Sequence, residues 1–324
     1  DKKKMFVGEA KFIRALNYFF LVRAFNKVPL KLEYTKEGDN IDIPESSKEE
    51  LYTQIVKDLT EAIEALPQEN PNTGDAARGR ASHWGAKALL AKVYLYQAEM
   101  TNDYKKAADL ANEVITSGGY NLVADYSTIW TTQNTNEAIF EIQFDDQATN
   151  PLAGVANDNS SVLFFAKDST ILDLYKDQDK RKDFTIAKGS NGNYFMGKFP
   201  NFSPASQNLT VIRLAEIYLI HAEAQARVDK GVSQTAYASL KAVQDRAENT
   251  EPIEVYSNLE AFITAVQEEK ERELMFEGET WFDFKRTGLA LKKYDNLTDE
   301  NFLLYPIPSG QIDLGTGLTQ NPGY

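Results

Sequence analysis

Two distant stretches of the chain, 90–100 (LAKVYLYQAEM) and 214–224 (LAEIYLIHAEA), carry Leu, Ala, Tyr, Leu, Ala and Glu at the same six places. In the first stretch Leu90, Tyr94 and Ala98 recur at i, i+4 and i+8, the period of one face of an α-helix. The small residues beside them let a neighbouring helix approach closely. The repeated phrase therefore predicts two equivalent helices, with Leu90, Tyr94, Leu214 and Tyr218 in their packing faces.

A second helix is predicted after each copy. The stretch 102–120 (NDYKKAADLANEVITSGGY) has Asn102 as a candidate N-cap and Gly118–Gly119 as a stop signal. The stretch 233–247 (SQTAYASLKAVQDRA) has Ser233 as a candidate N-cap. Each phrase is thus the first helix of a helix-turn-helix pair, as in tetratricopeptide-like repeats, although no fixed period runs along the chain. The stretches 8–25 and 47–67 predict two more amphipathic helices.

The middle of the chain, from 119 to 207, loses the helical period. The stretch 136–145 (NEAIFEIQFD) alternates like a strand, and 145–161 and 187–208 are rich in Asn, Gly, Ser and Pro, which predicts loops. We therefore predict a mostly α fold: a tetratricopeptide-like helical repeat scaffold with an irregular, loop-rich middle region that carries a few short strands. We expect one domain, 1–324, with early repeat helices at 1–118, a ligand face at 119–207 and the later repeat at 208–324.

Composition excludes several functional classes. The formal net charge of −13 argues against nucleic acid and anionic membrane surfaces as partners. The absence of Cys excludes disulfides and thiolate chemistry. The two histidines, His83 and His221, lack the spacing of a metal site, and no glycine-rich phosphate loop is present, so we predict no metal site and no cofactor.

A carboxylate-rich stretch, 268–284 (EEKERELMFEGETWFDF), raises the alternative of a glycoside hydrolase, which needs two carboxylates beside a sugar. Basic residues are interleaved with the acids and follow them, among them Lys270 and Arg272, and partners three or four residues apart pair on a helix. We favour structural ion pairs and assign no catalytic residue.

The loops of the middle region supply the candidate ligand-binding residues. Aromatic rings stack on the C–H faces of sugars, while Asn and Asp side chains hydrogen-bond to hydroxyl groups. The candidate stacking residue is Tyr194, and Lys92 on a repeat helix is taken as an exposed control position. The full candidate set comprises the aromatics Tyr194, Phe195, Phe199 and Phe202 and the polar residues Asn157, Asp158, Asn159, Asn191 and Asn193.

Several stretches along the chain form a recognisable set. They are 8–30 (GEAKFIRALNYFFLVRAFNKVPL), 79–100 (GRASHWGAKALLAKVYLYQAEM), 211–228 with 240–247, 268–288 (EEKERELMFEGETWFDFKRTG), 305–312 (YPIPSGQI) and 320–324 (QNPGY). Together, and in this order, they resemble the SusD/RagB family of bacterial outer-membrane lipoproteins, which bind glycans or other nutrients. The most specific stretch is 268–288, where Thr280 departs from the Arg that the family often has.

The resemblance implies a surface protein that captures an oligosaccharide, a polysaccharide or a similar nutrient without chemistry. It implies handover to a partner, a TonB-dependent SusC-like outer-membrane transporter, and a lipid anchor on a Cys that precedes this stretch. It also implies that an N-terminal signal and an initial helical segment are missing from the front of this chain. A helical-repeat scaffold that holds a protein partner remains the alternative function, and a glycoside hydrolase is the less favoured one.

Overall fold

The computed structural model describes residues 2–40, 42–74, 76–156, 169–190, 192–314 and 317–324. The α-helices within them are α1 (Lys2–Phe25), α2 (Lys48–Ala65), α3 (Ala76–Gly79), α4 (His83–Thr101), α5 (Lys105–Ser117), α6 (Thr128–Thr132), α7 (Pro151–Val155), α8 (Lys182–Thr185), α9 (Leu214–Asp229), α10 (Gln234–Arg246), α11 (Leu259–Leu274), α12 (Thr280–Thr287), α13 (Ala290–Lys293) and α14 (Ser309–Asp313). Short 3-10 helices lie at Ser169–Leu174, Ile253–Val255 and Glu300–Leu303.

The strands are short and form three antiparallel pairs, β1 with β2, β3 with β6 and β4 with β5. Their bounds are β1 (Val28–Pro29), β2 (Glu45–Ser46), β3 (Ala138–Ile142), β4 (Ile186–Lys188), β5 (Tyr194–Met196) and β6 (Leu209–Arg213). About 54% of the chain is helical, so the prediction of a mostly α fold with a few short strands is confirmed.

The chain divides into two compact units. Unit 1 comprises Asp1–Leu66 and Trp281–Tyr324, and unit 2 comprises Pro67–Thr280. The organisation of the chain as one domain stays a prediction. None of the described helices combines the length and the apolar character needed to cross a membrane.

The two copies of the repeated phrase are helices α4 and α9 of unit 2. Helix α4 packs on α5, α5 packs on α9, and α9 packs on α10, so each copy is paired with the helix that follows it. Leu90 and Leu214 retain only 4% and 1% of their accessible surface, while Tyr94 and Tyr218 are half-buried. The equivalence of the two stretches therefore rests on a shared apolar face, as the spacing predicts.

Capping residues explain where the repeat helices begin and end. Ser233 caps α10 by accepting a hydrogen bond from the backbone N–H of Ala236, and Gly118 closes α5, as predicted. The prediction for Asn102 is wrong. Its φ of 54° makes it the left-handed C-cap of α4, and α5 begins after Tyr104 without a side-chain cap. Asn is suited to both roles, because it accepts hydrogen bonds and tolerates the left-handed conformation.

A buried cluster joins the later repeat to the helix beyond it. Leu219 and Ala222 of α9, Leu240 of α10, and Phe262 and Val266 of α11 share one apolar core, and all have 0% exposure. Helix α11 therefore covers the apolar face of the α9–α10 pair.

Strand β3 is buried along most of its length rather than on alternate residues. The predicted strand is present, but Ala138 through Glu141 are all buried and only Ile142 is exposed, so burial does not alternate along it. Glu141 is buried because its carboxylate accepts hydrogen bonds from Thr210 Oγ1 (3.2 Å), Asn208 Nδ2 (3.0 Å) and the backbone N–H of Asn134 (3.1 Å). A polar residue can occupy the core side of a strand when its hydrogen bonds are satisfied.

Unit 1 is built on the pairing of α1 with α2. Phe12 and Phe19 of α1 and Leu51, Ile55 and Leu59 of α2 have 0% exposure. Ser47 and Glu50 form a capping box at the start of α2. Across the pair, Arg14 donates to both oxygens of Asp58, with Nε–Oδ2 at 2.8 Å and Nη2–Oδ1 at 2.7 Å.

Candidate functional site

A small hairpin of unit 2, formed by β4 and β5, carries two of the candidate ligand-binding residues, Tyr194 and Phe195. Lys188 pairs with Tyr194, Ala187 with Phe195, and Ile186 with Met196. The hairpin is followed by Gly197, whose backbone N–H donates to the Thr185 carbonyl at 3.0 Å. A Cβ on Gly197 would lie 1.7 Å from the Phe184 carbonyl oxygen, so only glycine allows this close return of the chain.

Arg181 anchors the chain just before the hairpin. It is fully buried and donates to both oxygens of Asp179, with Nε–Oδ1 at 2.9 Å and Nη2–Oδ2 at 2.6 Å. Its Nη1 reaches α11, where it lies 2.8 Å from Glu273 Oε2 and also bonds to Glu269. The entry to the hairpin is therefore tied to α11 by ionic hydrogen bonds that are shielded from water.

Lys198 anchors the chain just after the hairpin. Its buried ammonium donates to the Glu273 carbonyl oxygen at 2.8 Å and to the Glu277 carboxylate at 2.5 Å. It also lies 4.8 Å from the centre of the Trp130 ring. Burial lowers the pKa of Lys198 to about 8, even though Glu277 favours the charged form.

Arg213 and Arg246 complete the set of charges around Glu273. Arg213 binds Glu277 with two parallel hydrogen bonds and also contacts Glu137 and Glu273, while Arg246 bonds to the same two glutamates. Burial by itself raises the pKa of Glu273. Its cationic neighbours, Arg246, Arg213, Arg181 and Lys198, outweigh burial and hold that pKa well below its usual range. We call these residues the buried ion network: Glu137, Asp179, Arg181, Lys198, Arg213, Arg246, Glu269, Glu273 and Glu277.

The ion network accounts for much of the carboxylate-rich stretch. Two ion pairs have the predicted three-residue spacing, Glu269–Arg272 and Asp283–Arg286. The partners of Glu273 and Glu277, however, lie far away in the sequence. Pairing between residues three or four apart correctly predicted that these acids form structural ion pairs. It could not identify Arg181, Lys198 and Arg213 as partners, because they lie far from the acids in the sequence.

Tyr194 is half-buried on β5. One side of it packs in an apolar cluster with Tyr175, Ile186 and Met275, and the Lys188 ammonium lies 6.0 Å from its ring centre. Phe202 is half-buried and Asn193 is exposed. These three are the described candidates with surface available to a ligand.

Phe195 and Phe199 do not present a ring to solvent, because each is only 2% exposed. Phe199 packs against Ala153, Ala156 and neighbouring apolar side chains, and Phe195 points inward from β5. Phe195 lies on a short strand, where a side chain can face either side, and Phe199 lies beyond the end of that strand. Composition alone did not distinguish these two rings from Tyr194. Asn157, Asp158, Asn159 and Asn191 lie outside the described residues.

Lys92 is not an exposed position. It is 4% exposed on α4, and its ammonium lies 2.6 Å from Glu216 and 2.8 Å from Glu279. His221 is 3% exposed, with Nδ1 2.7 Å from Ser239 Oγ, and burial lowers its pKa. Among the described residues, acidic and histidine side chains form no group that could hold a metal ion.

Comparison with known proteins extends over the whole chain. A family model described as "SusD family" matches residues 120–300, and one described as "Starch-binding associating with outer membrane" matches residues 1–95. The SusD-like protein P2 of Formosa agariphila is 26% identical over 390 aligned residues, which cover 100% of this chain and 75% of that protein.

Two further similarities concern proteins whose names state a ligand. The starch-binding protein SusD of Bacteroides thetaiotaomicron is 34% identical over 130 residues, which cover 39% of this chain and 22% of that protein. A solved structure of a laminarin-binding SusD-like protein superposes with a TM-score of 0.83 at 27% identity, covering 99% of this chain and 79% of that one. SusD-like proteins have a tetratricopeptide-like helical fold, so the repeat architecture expected from the sequence is confirmed.

Proposed function

The chain belongs to the SusD family, and from this premise we propose that it binds a glycan at the cell surface through the loops of its middle region. The single observation that carries the location is the β4–β5 hairpin, which holds the partly exposed Tyr194 between Arg181 and Lys198. The two flanking anchors are rigid, since both are buried and ion-paired. A platform held in place in this way loses little conformational freedom when a ligand binds.

The ligand class follows from the relatives. The laminarin-binding structure and the starch-binding SusD are glycan-binding proteins by name, and both resemble this chain at more than 25% identity. An oligosaccharide or polysaccharide suits an aromatic ring that is flanked by exposed polar residues such as Asn193.

We further propose that the bound glycan is handed to a SusC-like TonB-dependent transporter and that the whole protein is lipid-anchored in the outer membrane. The support is the resemblance of the sequence to SusD/RagB lipoproteins and the match of residues 1–95 to a family described as associating with the outer membrane. Co-purification of the protein with such a transporter from detergent-solubilised outer membranes tests the partnership. Recovery of the protein without any transporter contradicts it.

Binding without turnover is part of the same proposal. The four buried carboxylates of 268–284, Glu269, Glu273, Glu279 and Asp283, and the largely buried Glu277 are all engaged by cations. A hydrolase acid needs a carboxyl group that is free to exchange a proton with the sugar. Incubation with polysaccharides that the protein binds is expected to release no reducing ends. Release that disappears in Glu277→Gln overturns this part of the proposal.

The alternative of a peptide-binding repeat scaffold is less well supported. Such a scaffold needs an open apolar groove on its repeat helices. In unit 2 the corresponding face of α9 and α10 is covered by Phe262 and Val266 of α11. We therefore do not assign a peptide groove to the α9–α10 pair.

A glycan array on the whole protein is the first test, followed by titration of the best glycan against variants. Tyr194→Ala is expected to weaken binding by about 1–2 kcal/mol, near tenfold in affinity. Asn112→Ala is the control, because Asn112 is exposed on repeat helix α5. Loss of binding in Asn112→Ala but not in Tyr194→Ala places the site on the repeat helices and contradicts the proposal.

A further inference from the structure

The candidate stacking ring and a buried ammonium group both contact one short segment of unit 2, residues 273–275 at the end of α11. Tyr194, the first residue of β5, packs in the apolar cluster that contains Met275. Lys198 lies two residues beyond the end of β5, and its Nζ donates to the carbonyl oxygen of Glu273 at 2.8 Å. The position of Lys198 and the position of the Tyr194 ring are therefore set by the same segment of chain.

The carbonyl group of Glu273 can accept from side chains because α11 ends there. The last four carbonyl groups of an α-helix lack a partner within the helix. The backbone N–H of Glu277 donates to the Leu274 carbonyl at 3.0 Å rather than to Glu273. Arg213 Nη2 and Lys198 Nζ donate to the Glu273 carbonyl oxygen instead, at 2.7 and 2.8 Å. The dipole of the helix also stabilises cations at this end.

The chain between Tyr194 and Lys198 has little freedom to move. The residues of β5 pair with β4 along their whole length. Only Gly197 separates β5 from Lys198, and its backbone N–H donates to the Thr185 carbonyl at 3.0 Å. A displacement of Lys198 is therefore passed to β5 and to Tyr194, because no loop lies between them to absorb it.

Lys198 is enclosed by groups from several elements of unit 2. Its Nζ lies 2.5 Å from Glu277 Oε1, and 4.8 and 5.5 Å from the ring centres of Trp130 and Tyr126. Arg213 is a like charge in the same ion network. A buried ion pair is often no more stabilising than apolar side chains of similar volume, but its directional bonds can fix one conformation. A methionine would fill the space of Lys198 without those bonds.

We propose that Lys198 is a positioning residue of the glycan site, whose ammonium group fastens β5 to the end of α11 and so holds the Tyr194 ring in place for a sugar. The inference rests on the proposed function, in which Tyr194 is the platform. Lys198 is 0% exposed, so it acts through Tyr194 rather than on the glycan itself.

The same arrangement makes the site sensitive to pH. Burial lowers the pKa of Lys198 to about 8, against the attraction of Glu277. Above that pH the neutral amine makes weaker hydrogen bonds to Glu277 and to the Glu273 carbonyl, because bonds from a charged donor are the stronger ones. The affinity for glycan therefore falls as the pH rises through the pKa of Lys198.

The first test is a double-mutant cycle on the whole protein, with the strongest glycan of the array as the probe. Lys198→Met is expected to weaken binding by up to the about tenfold loss of Tyr194→Ala. In the Tyr194→Ala background it is expected to change affinity by no more than about twofold, since the ring that it positions is gone. Lys92→Met is the matched control, because Lys92 is also buried and bonded to two carboxylates but lies on α4. Its affinity is expected to equal that of the wild type.

The second test titrates the wild type with the same glycan between about pH 7 and about pH 9. Affinity is expected to fall across this range in the wild type and to stay constant in Lys198→Met. A role in stability alone would leave the wild-type profile flat. Thermal unfolding at each pH shows that the proteins are folded, and if Lys198→Met does not fold, the wild-type profile decides.

Four outcomes overturn the proposal: unchanged affinity in Lys198→Met, an equal loss with and without the Tyr194 ring, an equal loss in Lys92→Met, or a flat wild-type profile. Each of these leaves the proposed function standing as long as Tyr194→Ala weakens binding. Unchanged affinity in Tyr194→Ala, or no glycan bound on the array, contradicts the proposed function itself and this inference with it.

Discussion

Arg213 and Glu277 form a bidentate ion pair in unit 2, with Nε–Oε2 at 2.7 Å and Nη2–Oε1 at 2.8 Å. Arg213 directly precedes α9, the second copy of the repeated helix, whereas Glu277 follows α11. The same carboxylate accepts a hydrogen bond from Lys198, which follows the candidate ligand hairpin. One pair of residues thus connects the repeat scaffold to the loops that we propose bind the glycan.

Glu277→Gln is expected to destabilise the fold by roughly 3–5 kcal/mol, because the buried Arg213 and Lys198 each lose a charged partner. Thermal and urea unfolding measure the change. Glu268→Gln is the control, since Glu268 is exposed on α11 and its substitution is expected to leave stability within about 0.5 kcal/mol. Equal stability of Glu277→Gln and the wild type contradicts a structural role for this pair.

Acid is expected to destabilise the protein through the ion network. The pKa values of Glu273 and Glu277 are lowered in the folded state, since their cationic neighbours outweigh burial. A lowered carboxyl pKa contributes stability above the unfolded value, roughly 4.3, and that contribution is lost as the pH falls toward the folded pKa. Urea unfolding between pH 6 and pH 2.5 should show a steep fall below about pH 4.5, with a shallower fall in Glu277→Gln. A curve that does not differ between the two proteins would argue against this linkage.

Alkaline pH is expected to stabilise the folded protein through Lys198. Its folded pKa of about 8 is lower than the value of roughly 10.4 for an exposed lysine, so the unfolded state binds more protons between the two. The stability of the wild type should therefore rise relative to Lys198→Met by about 1.6 kcal/mol between pH 8 and pH 9.5. Urea unfolding at each pH gives the free energy of unfolding of both proteins. Titration of the groups that both proteins share cancels in the difference between the two values. A difference that is constant with pH would show that Lys198 keeps an ordinary pKa.

Leu214→Ala is expected to cost roughly 2–5 kcal/mol, because Leu214 is 1% exposed and its removal leaves a cavity in the repeat scaffold. Val228→Ala on the same helix is the control, as Val228 is 37% exposed. Chemical denaturation of the two variants gives both values. Similar small losses in both would mean that the repeated phrase does not pack through its leucine.

Gly197→Ala is expected to distort the end of the ligand hairpin, because the new Cβ would lie 1.7 Å from the Phe184 carbonyl oxygen. The cost is expected to be roughly 1–3 kcal/mol, with weaker glycan binding. Gly231→Ala is the matched control, because the nearest atom to its Cβ is 4.0 Å away. Thermal unfolding and glycan titration of both variants provide the comparison. A Gly197→Ala variant as stable as Gly231→Ala would contradict the close return of the chain.

The helical scaffold could be predicted from the sequence because the apolar residues of an amphipathic helix recur every three or four positions. The spacing of Leu90 and Tyr94, and of Leu214 and Tyr218, identified α4 and α9 as equivalent helices. Ser233 was found as an N-cap because its hydrogen bond spans only three residues. The same local reasoning wrongly predicted Asn102 as an N-cap. An N-cap and a C-cap Asn differ in backbone conformation, which the sequence does not determine.

The burial of the candidate site residues could not be predicted from local sequence. Tyr194, Phe195 and Phe199 lie within six residues of each other in similar loop composition, yet two of them are buried and one is partly exposed. Strand pairing and the apolar cluster around Phe199 decided which rings turned inward. Lys92 was mistaken for a surface residue because its partners Glu216 and Glu279 are distant in the chain.

The sequence by itself determined the helical class, the equivalence of the two repeat helices and the resemblance to the SusD/RagB family, since each depends on residues that lie close together in the chain. Only the tertiary structure decided which charges are buried and what they bind. Arg181, Arg213 and Glu273 show the reason: each would be costly to bury alone, and each becomes stable only when the fold brings its distant partners within hydrogen-bonding distance.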